Sequence, residues 1–99
     1  EVRLYLEEHY GEKITLKRLC SWFGYSKTRL NQLFRESMGM SIYHCLMEIR
    51  MEKAKESLKK SEKSIYSIAQ ECGFSDQNYF ARQFKKHTGC TPGDYRRNS

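Results

Sequence analysis

Nothing in these 99 residues approaches the roughly 20 consecutive apolar positions needed to cross a bilayer. The opening stretch EVRLYLEEHY is acidic and amphipathic, where an export signal would be basic and then apolar. No membrane association is therefore expected, and the cytoplasm is the expected location. Cysteine occurs four times, at positions 20, 45, 72 and 90, with no C-x-x-C pair and no histidine at zinc-ligand spacing. A structural metal is not expected. A disulfide framework would require export, so the thiols should be reduced, with Cys20 and Cys72 packed as small apolar residues. His9, His44 and His87 fall on separate predicted helices without an apparent carboxylate or nucleophile partner in the sequence, so no enzyme and no cofactor are expected.

What is present is a short, basic, globular chain. Apolar residues make up 38% and charged residues 30%, a balance that supports one shared core and a single domain over residues 1–99. The first residue is not Met and a helix begins almost at once, so a piece of a longer protein is expected. The net charge of +6 suits a polyanionic partner. Its distribution is uneven: Glu1, Glu7, Glu8 and Glu12 against Arg3 leave residues 1–12 at −3. Arg82, Lys85, Lys86, Arg96 and Arg97 against Asp94 leave residues 82–97 at +4. Charge alone does not separate a nucleic-acid surface from an ordinary solvated helix face.

The chain repeats itself. Gly24-Tyr25-Ser26 and Gly73-Phe74-Ser75 are the same device 49 residues apart, preceded by Thr15, Leu16, Leu19, Cys20 and by Ser64, Ile65, Ile68, Ala69. Beyond the serines the offset becomes 50, matching Leu30 with Phe80, Phe34 with Phe84, Gly39 with Gly89 and Ser41 with Thr91. One residue is inserted in the second copy. Each copy reads as helix, tight turn, helix: Thr15 or Ser64 caps the first helix, Gly24 or Gly73 ends it, and Ser26 or Ser75 caps the second. The pattern predicts seven helices near residues 2–10, 16–23, 27–38, 42–60, 65–72, 76–87 and 92–97, and an all-α fold.

A helix-turn-helix requires a small residue where its helices nearly touch, a glycine in the turn and apolar anchors beneath the second helix. Cys20 and Gly24 meet the first two needs, with Leu16, Leu19, Phe23, Tyr25, Leu30 and Leu33 as the inner face. Ala69 and Gly73 repeat them, with Ile65, Ile68, Cys72, Phe74 and Phe80. Two such subdomains, residues 1–40 and 61–99, would be joined by a connecting helix over 41–60. That helix would span roughly 28 Å, near the 34 Å between successive major grooves on one face of DNA. Turning Leu30, Leu33 and Phe34 inward points Thr28, Asn31, Gln32 and Arg35 outward, and turning Phe80 and Phe84 inward exposes Asn78, Arg82 and Lys85. These are residue types that read base edges or hold phosphates. A basic helical module for an acidic protein or RNA is the alternative.

The run from Gly73 to Lys86, continuing through Gly89 to Thr91-Pro92 and Tyr95-Arg96, resembles the signature of AraC/XylS-type transcription regulators. Ile65, Ile68-Ala69, Arg50 with Ala54 and Leu58, and the spacing of Ser26, Leu30, Phe34 and Gly39 fit the same family. The resemblance implies sequence-specific duplex DNA binding in transcription regulation. Thr28, Asn31 and Gln32 would read bases in one groove, and Gln77, Asn78 and Arg82 in the next. Ser26, Lys27, Arg35, Ser75, Tyr79, Lys85 and Lys86 would meet phosphates. It further implies promoter DNA and RNA polymerase as partners, and an N-terminal sensor or receiver domain beyond these residues.

Overall fold

Six side chains set where helices begin. Thr15, Ser26, Ser41, Ser64, Asp76 and Thr91 each accept a hydrogen bond from a backbone N–H two or three residues ahead, at 2.9 to 3.2 Å. Each such cap is worth about 1 kcal/mol. The computed structural model describes residues 2–98. The seven helices among them are α1 (Val2–His9), α2 (Leu16–Phe23), α3 (Lys27–Met38), α4 (Ile42–Lys60), α5 (Ile65–Glu71), α6 (Gln77–Thr88) and α7 (Pro92–Arg97). Among the described residues there is no strand, and no helix is long and apolar enough to cross a membrane.

Besides the end of α6, which lies at Thr88 rather than residue 87, three boundaries differ from the sequence expectation. The first helix ends at His9, one residue early. The fifth ends at Glu71 because Gly73 turns left-handed at φ +93°. There the N–H of Phe74 donates to the Ala69 carbonyl at 2.9 Å and that of Gly73 to Gln70 at 3.1 Å, a Schellman closure. The third concerns the inserted residue. Ser75 does not cap α6; Asp76 does, and Ser75 is left exposed in the turn. The 50-residue offset therefore already holds at the cap, matching Ser26 with Asp76.

The chain divides into two compact units between Ile49 and Arg50, so α4 contributes its first half to one and its second half to the other. In the first unit, Leu6, Leu19, Leu30, Phe34, Ile42, Cys45, Leu46 and Ile49 form the core. Cys45 is fully buried there, whereas Cys20 is only half-buried. Tyr25, expected on the inner face, is 45% exposed. In the second unit the matching Phe74 is only 4% exposed. Its ring centroid lies 5.1 Å from that of Phe80, which lies 5.8 Å from Phe84, which in turn meets Tyr95 edge-on at 5.4 Å. Burying each phenylalanine stabilises this unit by about 2 kcal/mol.

Candidate nucleic-acid interface

α3 is anchored through buried Leu30 and Phe34, and α6 through buried Phe80 and Phe84. At 100° per residue, the direction opposite each pair falls on Gln32 and on Arg82. The two helices consequently present equivalent faces at the 50-residue offset: Thr28 with Asn78, Gln32 with Arg82, Arg35 with Lys85, and Glu36 with Lys86. All eight are exposed.

Ser26, Lys27, Ser75 and Gln77 are also exposed, at or beside the helix starts, while Tyr79 is half-buried. Asn31 is the departure on α3. It sits on the flank, half-buried, lining with Arg35, Ser41 and Tyr43 a groove of about 380 Å³ floored by Ile14, Leu16, Leu19, Ile42 and Leu46. Two residues of this face escaped the sequence reading. Arg29 is exposed in the first turn of α3, and Glu36 accepts a hydrogen bond from Gln32 Nε2 at 3.4 Å. Both follow Gln32 on the helical wheel, at i−3 and i+4, once Gln32 is recognised as the centre of the face.

The electrostatics of the two faces differ. α6 carries Arg82, Lys85 and Lys86 without an acidic residue, whereas Glu36 offsets part of the charge of Lys27, Arg29 and Arg35 on α3. Arg82 lies over the Tyr79 ring, its Cζ 5.9 Å from the centroid. That stacking holds a planar five-donor group at the middle of an exposed face, where it can engage guanine or phosphate. Behind the face, burial pushes the Cys72 thiol up to about 11, with Glu71 adding to the shift and Arg50 opposing it. Among the described residues, no three His, Cys, Asp or Glu side chains come together as a metal site.

A helix-turn-helix domain family matches residues 19–98. The transcriptional activator RhaR of Yersinia pseudotuberculosis serotype O:3 (strain YPIII) is 42% identical over 91 residues, 92% of this chain and 31% of its own length. The chain thus spans about a third of this curated relative. Among solved structures, the C-terminal domain of AraT, a response regulator from Geobacillus stearothermophilus, aligns with TM-score 0.95 and 35% identity over 99% of this chain and 82% of its own. The DNA-binding domain of the global transcriptional factor AdpA, solved with a target DNA, aligns with TM-score 0.93 and 25% identity over 98% and 87%. The chain belongs to the helix-turn-helix family as an AraC/XylS-type DNA-binding domain, the kind that binds duplex DNA sequence-specifically in transcription regulation.

Proposed function

We propose that α3 and α6 are the two base-reading helices of this domain, each entering a major groove of one bipartite promoter site, in adjacent grooves. Residues 1–40 and 61–99 would be the reading subdomains and 41–60 the helix joining them. The observation that carries this is the common register of the two exposed faces, with Gln32 and Arg82 each opposite its helix's buried anchors. Gln32 can pair bidentately with adenine and Arg82 with guanine; Thr28, Asn31, Gln77 and Asn78 supply flanking base contacts. Ser26, Lys27, Arg35, Ser75, Tyr79, Lys85 and Lys86 surround them with phosphate-binding groups that set register.

RNA polymerase is the further partner in this reading, supported by the naming of the RhaR relative as an activator. A sensor or receiver domain N-terminal to these residues is supported by the description of the AraT neighbour as the C-terminal domain of a response regulator. Promoter DNA as the target supports the cytoplasm as the location in this reading.

Selection of bound sequences from random duplex DNA, followed by footprinting and salt titration, tests the reading. Two specified segments about 10 base pairs apart are expected, and log K falling with log salt at a slope of about −5 to −9 for six to ten neutralised phosphates. A slope near −1, or equal affinity for random and selected DNA, overturns it.

A further inference from the structure

The guanidinium of Arg50, on the second half of α4, lies against the bare Cα of Gly73. A Cβ there would come within 2.8 Å of Arg50 Cζ and within 2.9 Å of its Nε and Nη2. The same guanidinium stands over the Phe74 ring, Cζ to centroid 5.6 Å. Phe74 in turn meets Tyr79, with ring centroids 6.1 Å apart, and Tyr79 carries Arg82 above it at 5.9 Å. Cation, aromatic, aromatic and cation therefore make a run of successive contacts from α4, across the turn, to the centre of the exposed face of α6. Among the described residues, the equivalent positions of the first unit carry no such run. Gly24 has nothing within 4 Å of where its Cβ would be, Tyr25 is exposed, and Arg29 and Gln32 stand where the second unit has Tyr79 and Arg82.

We propose that Arg50 is a positioning residue for base recognition by Arg82, acting through Phe74 and Tyr79, so that the specificity of α6 is set partly from α4. The proposal rests on α6 being a base-reading helix. The physical basis is preorganisation. A free arginine side chain carries substantial rotamer entropy, which is lost when it forms a bidentate contact. Stacking on Tyr79 removes part of that loss beforehand, provided that Tyr79 is itself held. Phe74 holds it, and Phe74 is pinned between Arg50 and the Phe80 ring. Gly73 leaves open the space that the Arg50 guanidinium uses, and a Cβ there would push the guanidinium away from Phe74.

The test is a base-preference matrix and a salt slope on duplex DNA for the parent, Arg50→Met, Tyr79→Leu and Arg82→Ala, measured where each variant is folded. Arg82→Ala identifies the base pair that α6 reads. Arg50→Met and Tyr79→Leu should each weaken the preference at that base pair about two- to fivefold, the size of a cation–π contact. The preference set by Gln32 should not move, nor should the salt slope of Arg50→Met; Tyr79→Leu is compared with Tyr79→Phe, which loses the same phosphate-binding hydroxyl but keeps the ring and should keep the preference. A purely structural loss in Arg50→Met would weaken every sequence together, and that result overturns the proposal. If Arg82→Ala flattens a base pair that Arg50→Met leaves intact, α6 still reads DNA but Arg50 does not position it, and the proposal is wrong. If Arg82→Ala changes no preference, the assignment of α6 fails first and takes this proposal with it.

Discussion

Arg96 on α7 donates from Nε to the carbonyl oxygen of Leu58 at 3.1 Å, in the last turn of α4. Its Nη2 donates to the Ser61 carbonyl at 3.2 Å. The last carbonyls of a helix have no partner within it, so this fork closes the end of α4 and ties α7 to it. At the 50-residue offset the first unit has Leu46, whose side chain can donate nothing. Arg96→Ala should destabilise the second unit by about 1–3 kcal/mol, the loss of hydrogen bonds from a charged donor. Arg96→Lys should recover only part of this, having no fork. Urea unfolding of the parent and both variants measures the difference; equal midpoints would mean that the bonds contribute nothing.

The two turn glycines should not be equally replaceable. Gly24 has φ +75° and open space around its Cβ position, so Gly24→Ala is expected to cost about 1 kcal/mol from backbone strain alone. Gly73→Ala has a similar strain and would also push the Arg50 guanidinium aside, losing its contact with Phe74, and should cost about 1.5–2.5 kcal/mol. Melting temperatures of the two variants decide it. A larger loss for Gly24→Ala would contradict the role assigned to Arg50.

Gln32→Ala and Arg82→Ala should each relax base preference at one end of the site only, by about 1–3 kcal/mol at the contacted base pair. Lys85→Ala should weaken all sequences alike and reduce the salt slope by about 1. Binding-preference matrices at two salt concentrations separate these effects. Were the first two substitutions to alter the same base pair, the two-groove reading would fail.

The Cys72 thiol makes alkaline stability a local probe. Its folded-state pKa of about 11 lies above the ordinary 9.0 because the buried thiolate is poorly solvated. Below pH 9 the thiol is neutral in both states and has no effect on pH dependence. Between about pH 9 and 11 the unfolded chain releases the proton while the folded chain keeps it, so stability falls as pH rises. The loss is on the order of 2 kcal/mol across that window. Cys72→Ala should be correspondingly less sensitive, and unfolding curves at pH 8, 9.5 and 10.5 measure the difference between the two proteins.

Much of the helical frame was legible because its signals are local. Thr15, Ser26, Ser64 and Thr91 reach backbone N–H groups three residues ahead, and Gly24, Gly39 and Gly89 adopt the left-handed conformation at the ends of their own helices. These interactions lie within a turn of chain, so residue type and spacing reveal them. The choice of cap for α6 was less legible. Ser75 and Asp76 are both competent caps, and which is used depends on where the packing of Phe74 and Phe80 places the inserted residue.

The sequence by itself determined the number and type of helices, the internal repeat, the basic character of the second half and the residues opposite Phe80 and Phe84. All of these follow from periodicity and composition. Only the tertiary structure decided that Asn31 lies half-buried at the edge of a groove, that Tyr25 is exposed where Phe74 is buried, and that Arg50 and Arg96 tie distant parts of the second unit together. Arg50 and Gly73 are separated by 23 residues, and Arg96 and Leu58 by 38. A pairing over that distance is set by which side chains the packed core brings face to face, and no local pattern encodes it.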